Sequence, residues 1–149
     1  MGKKSKSGEQ NRKVAPPKTS SFDWKPYLIL FVLTAVLYFR VVTCEFITFD
    51  DQGYVEENLQ IQKGFTWDSI TWAFTSGYAA NWHPLTWLTH MLDYQLYGLE
   101  PWGHHFTNYL FHIANTLLVF AFFRRATQRP CPSLIVALIF ALHPLHVES

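Results

Sequence analysis

The sequence predicts an all-α integral membrane protein, with about three transmembrane helices and a long extracytoplasmic loop that carries two short amphipathic helices. Hydrophobic residues make up 49% of the 149 residues and charged residues only 15%, where about 25% charged is usual in soluble domains. Apolar runs near the roughly 20 residues that cross a bilayer recur along the chain. Composition and run length together favour a membrane protein.

Charged residues are segregated along the chain, although the net charge is only +1. Basic residues dominate the first 25 residues, and acidic residues dominate residues 45–103. Because basic segments of membrane proteins stay in the cytoplasm, we expect residues 1–25 to form a disordered, basic, cytoplasmic tail. This tail contains no aromatic residue before Phe22, so nucleic-acid binding is not indicated.

The first predicted crossing is an apolar run at about residues 26–47. A cleaved signal peptide would need a small-x-small site, for which Val42-Thr43-Cys44 is a poor match. A lipoprotein anchor on Cys44 fits weakly because Thr43 precedes it, so we favour an uncleaved helix. Arg40, in the outer part of this helix, either snorkels to the interface or faces the bundle and meets an anionic group such as a lipid phosphate.

Two adjacent carboxylates, Asp50 and Asp51, follow this run directly. A carboxylate pair held at a membrane surface suits general-base or cation-binding chemistry. The alternative is a solvated turn, since Asp-Asp-Gln-Gly is also good turn material.

The outer loop, 48–103, is too long to be structureless. Thr66 can cap one short helix that stops before Gly77, and Pro84 can open a second that ends at Gly98. The second helix carries a leucine stripe and a stripe of histidine and aromatic residues at helical spacing. The latter comprises His83, Trp87, His90, Tyr94 and Tyr97. Amphipathic helices rich in Trp and Tyr belong at the headgroup level of a membrane.

The second crossing is predicted at 104–123, and the arginines after it mark the cytoplasmic side. His104, Asn108, His112 and Asn115 recur along it at helical spacing. Polar groups in a membrane helix must face protein or water, so this row either makes interhelical hydrogen bonds or contacts substrate.

A third crossing is predicted at 133–148, after a short turn in which Pro132 suits a helix start. The chain then stops without a polar tail, and we expect it to be a fragment. His143 and His146 lie at i and i+3, with Glu148 beyond, which is compatible with metal ligation, although Pro144 disturbs the local helix and no metal is assigned. Cys44 and Cys131 are expected on opposite faces, so they form no disulfide.

Several ordered motifs resemble one protein family. They are F-x-x-F-D-D-x-x-Y-V-x-x-N at 46–58, W-A-F-T at 72–75, N-W-H-P-L-T-W-L at 81–88, G-H-H-F-T-N at 103–108 and A-L-H-P-L-H-V-E-S at 141–149. This sequence is similar, over about residues 26–149, to membrane glycosyltransferases with tetratricopeptide repeats, relatives of protein O-mannosyltransferases within the GT-C superfamily. It would be the N-terminal part of such a GT-C membrane domain.

The resemblance implies an enzyme that moves a sugar from a polyprenyl-phosphate carrier to a protein or glycan hydroxyl at the extracytoplasmic face. By that likeness Asp50 is the general base, and Asp51 orients or binds the acceptor. Support for the departing phosphate is assigned to Arg40, His83 and His143, and His146 and Glu148 complete the substrate-binding set. No cofactor is implied, and the motifs resemble bacterial more than eukaryotic members, which predicts a bacterial inner membrane.

Relatives of this kind have many more transmembrane helices than three. We therefore expect the chain to need further membrane helices as partners, together with membrane lipid, and to be inactive alone. Two other classes stay open: a non-catalytic module that packs with partner helices, and a metal-dependent membrane hydrolase.

Overall fold

The computed structural model describes residues 23–47 and 51–143. Within these ranges the chain is all-α, as predicted, and contains five α-helices joined by short 3₁₀ and π segments. Residues 1–22 of the predicted tail, Asp50, His146 and Glu148 lie outside the described residues, and Lys25 of that tail already belongs to the first helix.

The first helix, α1 (Lys25–Tyr38), continues into a 3₁₀ helix at Phe39–Thr43. Pro26 lies in the first turn, where its missing N–H costs no hydrogen bond. Lys25–Thr43 spans 19 residues and is long and apolar enough to cross a membrane. The predicted first crossing therefore begins where expected, but its helix ends before residue 47.

Two further apolar helices complete a bundle: α4 (Pro101–Thr127) and α5 (Pro130–Leu142). At 27 residues α4 is also long enough to cross a membrane, and it extends beyond the predicted 104–123 at both ends. The turn to α5 is tight because Gln128 adopts the left-handed conformation, with φ 55°, at the end of α4. Pro130, rather than Pro132, lies at the start of α5.

The bundle is antiparallel, since α1 and α5 both run against α4. Near one end Leu30 of α1 packs with Phe120 of α4, and near the other the rings of Tyr38 and His112 lie 5.0 Å apart. On α5 the residues buried in the bundle are small (Ser133, Ala137 and Ala141), which lets helices approach closely.

The loop region, defined here as residues 51–100, is mostly helical. It contains a π-helix at Gln52–Glu56, 3₁₀ turns at Ile61–Lys63 and Tyr78–Ala80, and two α-helices, α2 (Trp67–Thr75) and α3 (Pro84–Tyr97). The structure thus has helices at both places where the sequence predicted them. Thr66 Oγ1 accepts the Ser69 N–H at 3.1 Å, and Gly98, with φ 65°, ends α3.

The loop region has its own small core around Trp87. Ile61, Ala73, Trp87 and Met91 are fully buried, with Tyr54, Trp72, Leu88 and Tyr94 packed against them. On α3 the histidine and aromatic stripe faces this core, whereas Leu85, Leu92 and Leu96 of the leucine stripe are exposed.

Large apolar side chains cover the outside of the bundle. Val36 of α1, Phe122 of α4 and Ile139 of α5 are each at least 60% exposed. Contiguous apolar surface of this kind is costly in water. Together with the two helices of spanning length, it indicates a membrane protein.

Candidate functional site

A cavity of about 490 Å³ lies where the loop region meets the first turns of α4. This volume falls in the range of small-molecule binding sites. Three parts of the chain line it: Phe46 with residues 51–55, the first half of α3 with the residue before it, and the N-terminal half of α4. The polar lining groups are Asp51, Tyr54, His83, Thr86, Thr89, His90, His104, His105 and Asn108.

Asp51 reaches this cavity, as the predicted site requires. Its Oδ2 accepts the backbone N–H of Ile47 at 3.0 Å, so this bond orients the carboxylate and ties the chain back towards the end of the first crossing. The second carboxylate oxygen has no described partner and leaves an acceptor available to a ligand.

His83 also lines the cavity, at the residue before α3. Its ring packs 4.6 Å from the ring of Trp87 and 5.6 Å from that of Tyr54, and its buried Nε2 has no hydrogen-bond partner among the described residues. A buried nitrogen without a partner is costly, and a ligand in the cavity could satisfy it. Asp51 and His83, both assigned to the site through the family resemblance, thus line the same cavity.

Arg40 and His143 do not line this cavity. Arg40 is exposed in the 3₁₀ helix that ends the first crossing, and its backbone carbonyl accepts the Thr43 hydroxyl at 2.9 Å. His143 is exposed directly after α5. Both lie at the same end of the bundle as the cavity, because α1 and α5 are parallel.

Three further histidines line the cavity: His90 and His105, which sequence reasoning did not assign to the site, and His104, for which it left contact with substrate open. The available signal was the His-His pair at the start of α4 and the position of His90 on the aromatic stripe. Burial, and then the neighbouring His104 and His83, lower the pKa of His90 to about 4. His90 is therefore a neutral imidazole at physiological pH and can accept a hydrogen bond or bind a metal.

His104 and Asp93 lie at the inner side of the cavity wall and are 3% and 2% exposed. His104 Nδ1 is 3.9 Å from Asp93 Oδ2, and Thr107 donates to Asp93 Oδ1 at 2.6 Å. Burial raises the pKa of Asp93, against the opposing effects of the Thr107 hydrogen bond and of His104. His90, Asp93 and His104 can each offer one ligand atom within 4.8 Å of the others.

The predicted polar row of α4 is divided between the cavity and the bundle. His104 and Asn108 line the cavity, while His112 lies deeper and its Nε2 is 3.1 Å from the Ala141 carbonyl of α5. Asn115 is exposed in the described part of the chain and packs against none of its helices, and Thr116 is buried instead. The buried face of α4 changes along its length because its start contacts α3 and its later turns contact α1 and α5.

A helix bundle with an apolar exterior and a polar, imidazole-rich cavity at one end defines the class: an all-α membrane protein with a polar cavity at one end of its bundle. The chain is 30% identical over 129 residues to Protein O-mannosyl-transferase tmtc2 of Xenopus laevis, a match that covers 82% of this chain. It is 30% identical over 125 residues to Tmtc2 of Drosophila melanogaster, and 28% identical over 129 residues to TMTC2 of Homo sapiens.

The curated homologues of this chain are therefore protein O-mannosyl-transferases of the TMTC family, and the relationship predicted from the motifs is confirmed. The matches span only about 15% of the length of the frog and human relatives and 13% of the fly relative. No family model matches the chain. No solved structure matches it either.

Proposed function

We propose that this chain is a module of a glycosyltransferase that uses a polyprenyl-phosphate sugar, in a reaction of the protein O-mannosylation type, at the extracytoplasmic membrane face. The relatives are named as protein O-mannosyl-transferases, which supports the reaction class. The observation that carries the proposal is the 490 Å³ cavity, where Asp51 and His83 converge.

The proposed topology places the basic N-terminus in the cytoplasm. Arg124, Arg125 and Arg129 lie near the end of α4, and Arg124 donates to the Asp23 carbonyl beside the start of α1 at 2.9 Å. Basic residues of two segments thus lie at one end of the bundle, which supports the positive-inside assignment. The cavity is at the opposite end. The third crossing, proposed at 133–148, begins within α5 and returns the chain to the extracytoplasmic side. The cavity end of the bundle faces that side in this topology.

The length of α4 supports a cavity at the membrane surface. Its 27 residues give a helix of about 40 Å, longer than the ~30 Å hydrocarbon core. Its first turns therefore extend beyond the core, at the depth where a lipid-linked donor presents its sugar phosphate. The animal relatives give no support to a bacterial inner membrane, which stays a prediction.

In the proposed step, an acceptor hydroxyl oxygen forms a bond to the anomeric carbon as the bond from that carbon to the phosphate oxygen breaks. Asp50 takes the hydroxyl proton, and the polyprenyl phosphate leaves with the bonding electron pair. A positioned base is needed because a hydroxyl is a weak nucleophile. Asp51, oriented by the Ile47 N–H, positions the acceptor.

The departing phosphate needs cationic or hydrogen-bonding support. Arg40, His83 and His143 are proposed for this role, with His146 and Glu148 as further substrate contacts. Because the chain spans about 15% of its relatives' length, we propose that other membrane helices supply the rest of the donor site.

The proposal is tested by sugar transfer in membranes that hold the protein together with its partner membrane helices, as a full-length relative or a reconstituted complex, supplied with radiolabelled polyprenyl-phosphate mannose. Asp50→Asn should lower transfer by about 10²–10⁴-fold, the usual contribution of a general base, and Asp51→Asn should raise the KM for acceptor. Asp68→Asn, at an exposed carboxylate in the first turn of α2, is the matched control. Transfer by Asp50→Asn equal to that of the control would remove the base role.

A non-catalytic role in packing with partner helices is favoured by one observation, the exposed apolar exterior of α1, α4 and α5. Its signature would be helix association that depends on the exposed Asn115 and not on Asp51. Crosslinking in membranes distinguishes the two roles: association lost in Asn115→Ala, with no sugar transfer by the parent protein, would favour the packing role.

A further inference from the structure

The end of α3 and the start of α4 bring His90, Asp93 and His104 into one buried cluster, which we call the HDH cluster. Their potential ligand atoms all lie within 4.8 Å of one another. His90 and Asp93 are three residues apart and therefore lie on one face of α3. His104 reaches them because the turn after Gly98 returns the chain directly into α4.

The hydrogen bonding of His104 leaves a lone pair directed at the cluster. Its Nε2 lies 3.0 Å from the Gly98 carbonyl. A carbonyl can only accept, so Nε2 carries the proton and Nδ1 of the neutral ring is unprotonated. This Nδ1 is buried and has no hydrogen-bond partner within the described ranges. An imidazole that donates one N–H to a backbone carbonyl and leaves the other nitrogen free has the arrangement typical of metal ligands.

Asp93 is oriented in a similar way. Thr107 donates to its Oδ1, and its Oδ2 is directed at His104 Nδ1 at 3.9 Å, too far for a hydrogen bond. Among residues 23–47 and 51–143, no Lys or Arg lies within ion-pair distance of this buried carboxylate. The two atoms thus face each other across a buried gap that holds no hydrogen bond, and a cation with bonds to both would satisfy them together.

His90 completes the set. Its Nδ1 is buried without a partner in the described part of the chain, and its ring centroid lies 6.2 Å from that of His104.

We propose that the HDH cluster binds a divalent transition metal, with Zn²⁺ as the preferred ion, through two imidazoles and one carboxylate. Two histidines and a carboxylate with a fourth position left open form one of the known zinc sites of enzymes. Metal-bound ligand atoms lie roughly 3.4 Å apart in a tetrahedral site with bonds near 2.0–2.1 Å, so the three groups must approach by about 1 Å on binding. His90 and His104 also line the cavity, so the open position faces the cavity.

This site differs from the trio that the sequence suggested, His143, His146 and Glu148. His143 is exposed and lines no part of the cavity, and the other two lie outside the described residues. The HDH cluster does not depend on the proposed sugar transfer, and its test needs no activity.

The test measures Zn²⁺ bound to the full chain, purified in detergent, stripped with chelator and titrated with Zn²⁺ or with Mg²⁺. We expect about one Zn²⁺ per chain by elemental analysis after desalting, a higher midpoint of thermal unfolding with Zn²⁺, and no change with Mg²⁺, which avoids imidazole ligands. Loss of a group that only supports a ligand weakens metal binding by about 10–100-fold, so Asp93→Asn and His90→Gln should each weaken it at least that much.

Asp93→Asn is informative because it should fold without metal. Its carboxamide oxygen can still accept from Thr107, and its NH₂ can donate to the free Nδ1 of His104. We therefore expect an unfolding midpoint at or above that of the metal-free parent, with no response to Zn²⁺. His143→Gln is the control and should bind Zn²⁺ like the parent. The proposal is overturned if the parent retains no Zn²⁺, if Mg²⁺ stabilises it equally, or if His143→Gln rather than Asp93→Asn loses the ion.

Discussion

Buried polar side chains have hydrogen-bond partners more often in the bundle than at the cavity end of this chain. In the bundle, two polar side chains make interhelical hydrogen bonds: His112 with the Ala141 carbonyl, and the Tyr109 hydroxyl with the Ala35 carbonyl at 3.0 Å. The hydroxyls of Thr34 and Thr116 have no partner among the described residues. At the cavity end the same holds for buried nitrogens of His83, His90, His104 and His105 in the cavity wall, and for that of Trp87 in the loop-region core.

Buried polar groups without a described partner are thus more frequent at the cavity end than in the bundle. An unpaired buried polar group costs about 1–3 kcal/mol, and several of them in one place are usually satisfied by a ligand, ion or water. A ligand in the cavity would satisfy the imidazole nitrogens that line it.

The largest expected effect comes from removing the centre of the loop-region core. Trp87→Ala should cost about 3–5 kcal/mol, as for other buried Trp truncations, because Trp87 is fully buried. Trp67→Ala, at a side chain 84% exposed, should change stability by less than about 0.5 kcal/mol. Hydrogen exchange in detergent should show α2 and α3 losing protection in Trp87→Ala while α4 and α5 keep theirs. Equal loss in all helices would contradict two separately packed regions.

A smaller effect is expected at the joint between the two regions. A Cβ on Gly103 would overlap the Tyr97 side chain, so Gly103→Ala should force α3 and α4 apart and cost about 1–3 kcal/mol, as overpacking does. Gly53→Ala is the control, since nothing lies within 4 Å of its Cβ position. The readout is thermal unfolding. If the two variants were equally stable, the contact between Gly103 and Tyr97 would not set the approach of α3 and α4.

The smallest effect concerns a single hydrogen bond in the bundle. His112→Leu removes the contact with the Ala141 carbonyl and should cost about 1 kcal/mol, the scale of interhelical hydrogen bonds in membranes. The expected result includes unchanged Zn²⁺ binding, because His112 lies outside the HDH cluster. Asn115→Ala, at the exposed member of the same sequence row, should be neutral. A greater loss in Asn115→Ala, measured by denaturant titration, would contradict the assignment of His112 as the interhelical contact.

The sequence predicted the ends of helices well where a capping or terminating residue marks them. Thr66, Pro84 and Gly98 mark the ends of α2 and α3 because capping and backbone conformation depend on neighbouring residues alone. The sequence was less successful at α5, the predicted third crossing. Pro130 rather than Pro132 lies at its start, and either proline can occupy a first turn. The sequence also did not predict that Thr116, rather than Asn115, is buried. A row of polar residues marks one face of a helix but does not identify the helix that packs against it.

By itself the sequence determined the helical class, the apolar runs, the charge asymmetry and the relationship to the TMTC proteins, all of which depend on residue types and their order. Tertiary structure alone decided that the histidine stripe of α3 faces inward and that His90, Asp93 and His104 meet. Helical periodicity defines the faces of each helix but not their partners. The partner is set by the Gly98 turn and by the close approach of Gly103 to Tyr97, which bring the end of α3 against the start of α4.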